Sequence, residues 1–219
     1  MRSFYSQPLA AAALLAGSLA GTPALADTGI VSFTVGSSIA AFSSDETIGW
    51  IFALPAGPGV TVTQLGWWDQ TPASPLAASH QVGLWSVSGT LIASATVLPG
   101  DPLTGGFRYA ALSSPVTLGG GTVYMIGGRD TLADGDNYST ANSALVMGVG
   151  INFGGATRSN VGVGFAFPVN TTGDPGGHFG PNFIYAAVPE ASTQLMMLMG
   201  LGAVGGLAAR RRARAAAGA

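Results

Sequence analysis

Between Asp27 and Pro189, apolar and polar side chains alternate in short runs broken by Gly, Pro and Asp, and no stretch keeps the spacing of an amphipathic helix. Period-two alternation bounded by turn residues predicts an all-β sandwich. The clearest unit is His80–Val97. Val82 and Leu84 fall on one face and Trp85 and Val87 on the other, Ser88-Gly89 is a two-residue turn signal, and Leu91–Val97 returns as the partner strand. Further strands are predicted at Ile30–Val35, Thr47–Ala53, Val60–Trp68, Phe107–Ala111 and Thr122–Gly127, with two more, Leu145–Phe153 and Val161–Phe167, after Asp136. From Asp130 the chain turns glycine- and asparagine-rich, and Asn170–His178 reads as a loop or linker. Residues up to about Tyr185 belong to the same domain, where two further strands complete the sandwich.

Both ends of the chain break this pattern. Arg2 followed by the alanine/leucine run Pro8–Leu19 and by Ala24-Leu25-Ala26 before Asp27 predicts a secretory signal peptide over 1–26. At the other end an apolar run over 193–209 stops at Arg210, Arg211, Arg212 and Arg214. The run is apolar all round rather than on one stripe, and it predicts a short transmembrane helix. The arginine cluster acts as a membrane stop that keeps the C-terminus cytoplasmic and places everything before it across the membrane. The predicted layout is a signal peptide over 1–26, an exported domain over 27–187, a sorting segment over 188–214 and a short tail over 215–219.

Composition narrows the exported part. It has no cysteine, so its core holds without disulfides despite export. There is no lysine anywhere in the chain, and only Arg108, Arg129 and Arg158 lie in the exported part, against nine carboxylates. Such an acidic domain is a poor match for nucleic acid.

Val188-Pro189-Glu190, then small polar residues, a weak membrane helix and an arginine cluster, resembles the PEP-CTERM sorting signal of Gram-negative bacteria. The resemblance covers Val188 to about Arg214. It implies recognition of the tripeptide by a membrane transpeptidase, an exosortase, which cuts the protein from its helix and passes it to the cell surface, often alongside exopolysaccharide. Pro189 and Glu190 match the motif, and Ala191 stands where the family most often has a second proline. Pro189 keeps Val188 extended and presents the motif as an open strand, while Gly200, Gly202, Gly205 and Gly206 weaken the helix, as suits a temporary anchor. A second series runs from Gly49-Trp50-Ile51-Phe52 through Val62–Gly66 and His80–Val97 to Phe107-Arg108-Tyr109 and Leu118–Gly127. It is similar to a recurrent domain of exported bacterial proteins with no assigned activity, and this implies a jelly-roll-like β-sandwich.

Candidate chemistry is sparse. The chain lacks a cysteine nucleophile and the H-x-x-x-H, G-x-S-x-G and phosphate-loop patterns. These absences point away from an enzyme, with no cofactor beyond a structural ion. The acidic turn Asp130–Asn137 offers Asp130, Asp134, Asp136 and Asn137 as oxygen ligands for calcium, although its spacing departs from the EF-hand loop. Adjacent strand residues Trp67 and Trp68 point to opposite faces, so one indole is expected near solvent, where it could stack on a sugar as in a carbohydrate-binding module for surface polysaccharide. A glycan-active hydrolase would need two carboxylates, such as Asp69 and the pair Asp45-Glu46, at a defined separation. His80, at a strand start, reads as a structural hydrogen-bonding histidine. The partners expected are exosortase, the secretion machinery, the inner membrane as a transient anchor, and extracellular polysaccharide. The expected destination is the cell surface or a biofilm matrix.

Overall fold

The computed structural model describes residues 28–32, 39–41, 45–71, 73–131, 134–140, 145–148, 150–172, 176–188 and 191–217. The signal peptide with its cleavage residues Ala24, Ala26 and Asp27 lies outside them, as do Pro189 and Glu190.

The described chain is built of antiparallel strands, and two larger sheets carry the core. One holds, in spatial order, β1 (Thr28–Gly29), β15 (Pro181–Ala187), β5 (Val60–Trp68), β9 (Phe107–Leu118) and β8 (Leu103–Thr104). The other holds β14 (Asn170–Thr171), β13 (Asn152–Arg158), β4 (Glu46–Ala53), β10 (Val123–Asp130), β6 (His80–Ser86) and β7 (Leu91–Val97). Two small ladders join β11 (Asn137–Ser139) to β3 (Ile39–Ala41) and β12 (Val146–Met147) to β2 (Val31–Ser32). Helix α1 (Ala191–Ala217) follows β15.

Aromatic side chains join the two sheets across their inner faces. Trp50 of β4 donates its indole N–H to the Pro181 carbonyl of β15 at 3.1 Å. Phe52 and Phe183 lie 5.2 Å apart between ring centroids, and Trp50 and Phe179 5.9 Å. β4, flanked by β13 and β10, has six of its eight residues buried. At the far end of β5, Leu65 to Trp68 are buried in succession, so both faces of the strand are covered there.

The strongly alternating segments fold as predicted. β4 and β5 match their expected spans, and the β6–β7 hairpin forms. Its loop has three residues rather than two: Ser86 N–H bonds to the Thr90 carbonyl, and Gly89 takes φ +88°. A left-handed third residue lets such a loop close without splaying the strands. β9 runs past its expected end because the β5 ladder passes from Gln64–Ala111 to Val62–Val116. Leu112–Pro115 therefore bulge out, where a proline sacrifices no ladder bond.

Of the strand predicted over Ile30–Val35, Val31–Ser32 form β2 and Ile30 donates its N–H to the Phe183 carbonyl just before it, while residues 33–35 lie outside the described residues. Two expectations need correction. Leu145–Phe153 is not one strand but β12 and the start of β13, separated by Gly150 at φ +76°. Val161–Phe167 forms no strand, because Gly162 and Gly164 take φ of +80° and +65°, outside extended backbone. The segment instead lays Phe165 and Phe167 against Trp85, at 5.2 and 6.5 Å. This covers the outer face of β6 and accounts for the burial of Trp85.

The transmembrane expectation over 193–209 is also not met. Among the described residues no helix is long and apolar enough to cross a membrane. Gly200, Gly202, Gly205 and Gly206 interrupt the apolar run, and Arg210 ends it.

Candidate functional site: a buried histidine–carboxylate cluster and the sorting segment

Strand β10 ends at Asp130, β6 begins at His80, and Asp134 and Asp136 lie beside both. His80 is fully buried, with its imidazole stacked on the Trp67 indole of the opposite sheet at 4.0 Å and 2° between planes. Its Nδ1 lies 3.1 Å from the Arg129 carbonyl oxygen and its Nε2 3.0 Å from Asp136 Oδ2. A ring nitrogen of His80 and carboxylate oxygens of Asp130 and Asp134 lie within 4.8 Å of one another.

The acidic residues differ in how they are held. Asp136 accepts the backbone N–H of Ala77 at 2.9 Å and of Ala78 at 3.0 Å, which ties the turn to the approach to β6. Burial works to raise its carboxyl, but the bonds from His80 and those two amides outweigh burial and hold it below the usual range. Asp134 accepts the Thr131 N–H at 2.7 Å, the Thr131 hydroxyl at 3.0 Å and the Asp136 N–H at 3.2 Å. Asp130 is fully buried, and neither of its carboxylate oxygens has a hydrogen-bond partner. Burial, reinforced by the neighbouring Asp134 charge, pushes its carboxyl up to about 9.

Of the four oxygen ligands expected for calcium, the fold gathers Asp130 and Asp134 and adds His80. Asp136 bonds His80 from beside the cluster, and Asn137 donates to the Gln70 side-chain oxygen. His80 was read from sequence as structural only. Its partners lie about fifty residues away, across a sheet whose pairing no local spacing reveals.

The sugar-stacking expectation is overturned by burial. Trp67 is 0% and Trp68 2% exposed. Their side chains do leave opposite faces of β5, but both faces are covered at that end of the strand, so neither indole offers a ring to solvent. Of the carboxylates considered for glycan hydrolysis, Asp69 and Asp45 are engaged in ion pairs and Glu46 is buried at the start of β4. Asp69, 2% exposed, receives Arg108 Nε at 2.7 Å and the Thr71 N–H at 3.1 Å. Asp45 receives both Arg129 Nε at 2.8 Å and Nη2 at 2.7 Å.

The sorting segment begins where the domain ends. Ala187, the last residue of β15, pairs with Val60 of β5, and Val188 donates its N–H to the Gly59 carbonyl at 3.3 Å. Half-buried Val188 helps line a cavity of about 300 Å³ with Pro55, Pro58, Ile151 and Tyr185. Ala191 opens α1, and Arg210, Arg211, Arg212 and Arg214 lie in its last turns. The apolar side chains Met196, Met197, Leu198, Met199, Leu201, Val204 and Leu207 are all exposed.

Residues 187–212 match the model of the PEP-CTERM protein-sorting motif. No curated protein and no solved structure matches the chain, and the resemblance carried by the Gly49–Gly127 series finds no counterpart in these comparisons. The motif implies export, transient membrane association during sorting to the cell surface, and an exosortase as processing partner. The chain carries a PEP-CTERM protein-sorting motif on the residues that leave the last strand of an antiparallel all-β domain.

Proposed function

We propose that this chain is a non-enzymatic surface or matrix protein: a jelly-roll-like β domain exported across the inner membrane, cut at Pro189-Glu190, and released to the envelope or to exopolysaccharide. The observation that carries the reading is the junction of Ala187 and Val188, where the matched motif starts on the last ladder pair of β15. A cut there removes α1 and leaves every described strand intact. Strand order supports the jelly-roll description, since the chain passes repeatedly between sheets, from β4 to β5 to β6 and from β7 to β9 to β10. The engaged state of Asp69 and Asp45 supports a non-enzymatic role, and burial of both indoles removes the basis for a sugar platform at Trp67 and Trp68.

Intact mass of the protein from envelope and medium fractions of its native host tests the proposal. A mass ending near Pro189, replaced by the full-length mass when the exosortase is deleted, is the expected result. A mass ending at Ala219 in the surface fraction would sink it.

A further inference from the structure

We propose that His80, Asp130 and Asp134 form a binding site for one divalent transition-metal ion, with zinc as its reference ion, that clamps Asp134 onto the first residue of β6 and the last of β10.

Two observations suit a cation at this point. The first is Asp130, a fully buried carboxylate with both oxygens unpartnered. A buried carboxylate without hydrogen bonds is costly, and the core relieves it either by protonating the group or by placing a cation against its oxygens. The second is the ring of His80, whose two nitrogens both face oxygen acceptors at about the same distance, 3.1 and 3.0 Å. A neutral imidazole has one N–H and one lone pair. It satisfies one of those oxygens and turns a lone pair toward the other, unless a second proton or a metal ion sits at that nitrogen.

The donor set fixes the class of ion. Calcium takes six to eight oxygens in an open, flexible shell, whereas one imidazole nitrogen and two carboxylate oxygens suit zinc and its first-row neighbours. The ring is already oriented as such ligands usually are, with one nitrogen held by a backbone carbonyl or carboxylate and its face fixed by Trp67. The hydrogen bonds that Asp134 accepts from Thr131 and Asp136 do the same for its carboxylate. Asp130 and His80 are sealed in, while Asp134 is half-buried and marks the side by which an ion enters. Burial of two of the three ligands points to a structural ion rather than one open to substrate.

The test uses the full chain purified in detergent and stripped with chelator, with zinc and calcium added separately. One equivalent of zinc is expected to bind saturably and, at a hundredfold excess over Kd, to raise Tm by about 5–10 °C, while calcium at the same concentration leaves Tm unmoved. Cobalt substituted for zinc reports the geometry through its visible absorbance. Asp130→Asn is expected to weaken zinc binding at least tenfold while its metal-free Tm stays equal to or above that of the wild type, which separates loss of the site from loss of the fold. His80→Gln is expected to abolish the cobalt spectrum. Absence of saturable zinc binding, or binding unchanged in Asp130→Asn, would overturn the site. Saturable calcium binding without zinc binding would overturn the assignment of the ion.

Discussion

Trp67 and His80 stack face to face across the two sheets, with ring centroids 4.0 Å apart and planes within 2°. The contact joins the end of β5 to the start of β6, and the site that gathers Asp130 and Asp134 is built against it. Gly128 and Gly180 crowd the benzo edge of the indole, and a Cβ at Gly180 would stand 2.7 Å from it. Trp67→Ala is therefore expected to cost about 3–5 kcal/mol, the range for a buried tryptophan whose cavity cannot collapse. Trp67→Phe is expected to cost much less, because the indole N–H has no hydrogen-bond partner to lose. Urea denaturation of both variants measures the difference, and equal midpoints would show that the stack has no special role.

A second core element is polar. Asn182, fully buried in β15, accepts the N–H groups of Val31 at 3.2 Å and Phe183 at 2.8 Å. Its amide donates to the Val31 carbonyl and to the Tyr109 hydroxyl, both at 2.9 Å. The side chain thus ties β2 and β9 to β15. Asn182→Ala leaves a buried amide, a carbonyl and a phenol short of partners, at about 1–3 kcal/mol each. The expected outcome is loss of cooperative unfolding at 37 °C, read by near-UV circular dichroism. A loss below about 1 kcal/mol would mean that water replaces the amide.

Two ion pairs should behave differently. Asp69 and Arg108 are both largely buried, so Arg108→Ala strands a carboxylate in the core and is expected to cost about 3–5 kcal/mol. Asp45 and Arg129 pair in the open, with 38% and 44% of their side chains exposed. Asp45→Asn is expected to cost at most about 1 kcal/mol and less in high salt. The Arg129 guanidinium holds the Asp45 carboxyl below its ordinary value of 3.8. Because the folded value is depressed, the pair's contribution is present above about pH 4 and is lost as pH falls through the folded value. Thermal melts of Asp45→Asn and wild type should therefore differ slightly at pH 7 and converge in acid. A difference that widens in acid would contradict this sign.

How much of this was legible in the chain depended on whether a segment buries one face or two. β4, β5 and the β6–β7 hairpin were readable because alternation and turn residues agreed. β15 was not, since Pro181 to Tyr185 are buried in succession and show no alternation. Trp67 and Trp68 could be assigned to opposite faces, but the coverage of both faces comes from distant segments that no local pattern announces. At the candidate metal site the turn 130–137 was visible as an oxygen-rich stretch. Which of its residues converge was set by the β10–β6 ladder, which brings His80 beside Asp130.

The described apolar side chains of α1 are exposed, and a Cβ added at Gly200, Gly202, Gly205 or Gly206 would meet nothing within 4 Å. The helix therefore adds no core contact at these positions, while the final ladder pair Ala187–Val60 and the Val188–Gly59 bond lie before it. A chain ending at Glu190 is expected to melt within about 2 °C of the full-length protein in the same detergent. A chain ending at Phe183 removes half of β15 from its ladder with β5, together with buried Ile184 and Tyr185. It is expected to lose several kcal/mol, since burying each such side chain is worth about 1.5–3 kcal/mol. Equal destabilisation by both truncations would mean that α1 is part of the folded domain, and that a processing enzyme cutting at the motif would release an unstable product. Stability retained only by the longer chain would place the boundary between domain and sorting signal between Phe183 and Glu190, where the matched motif begins.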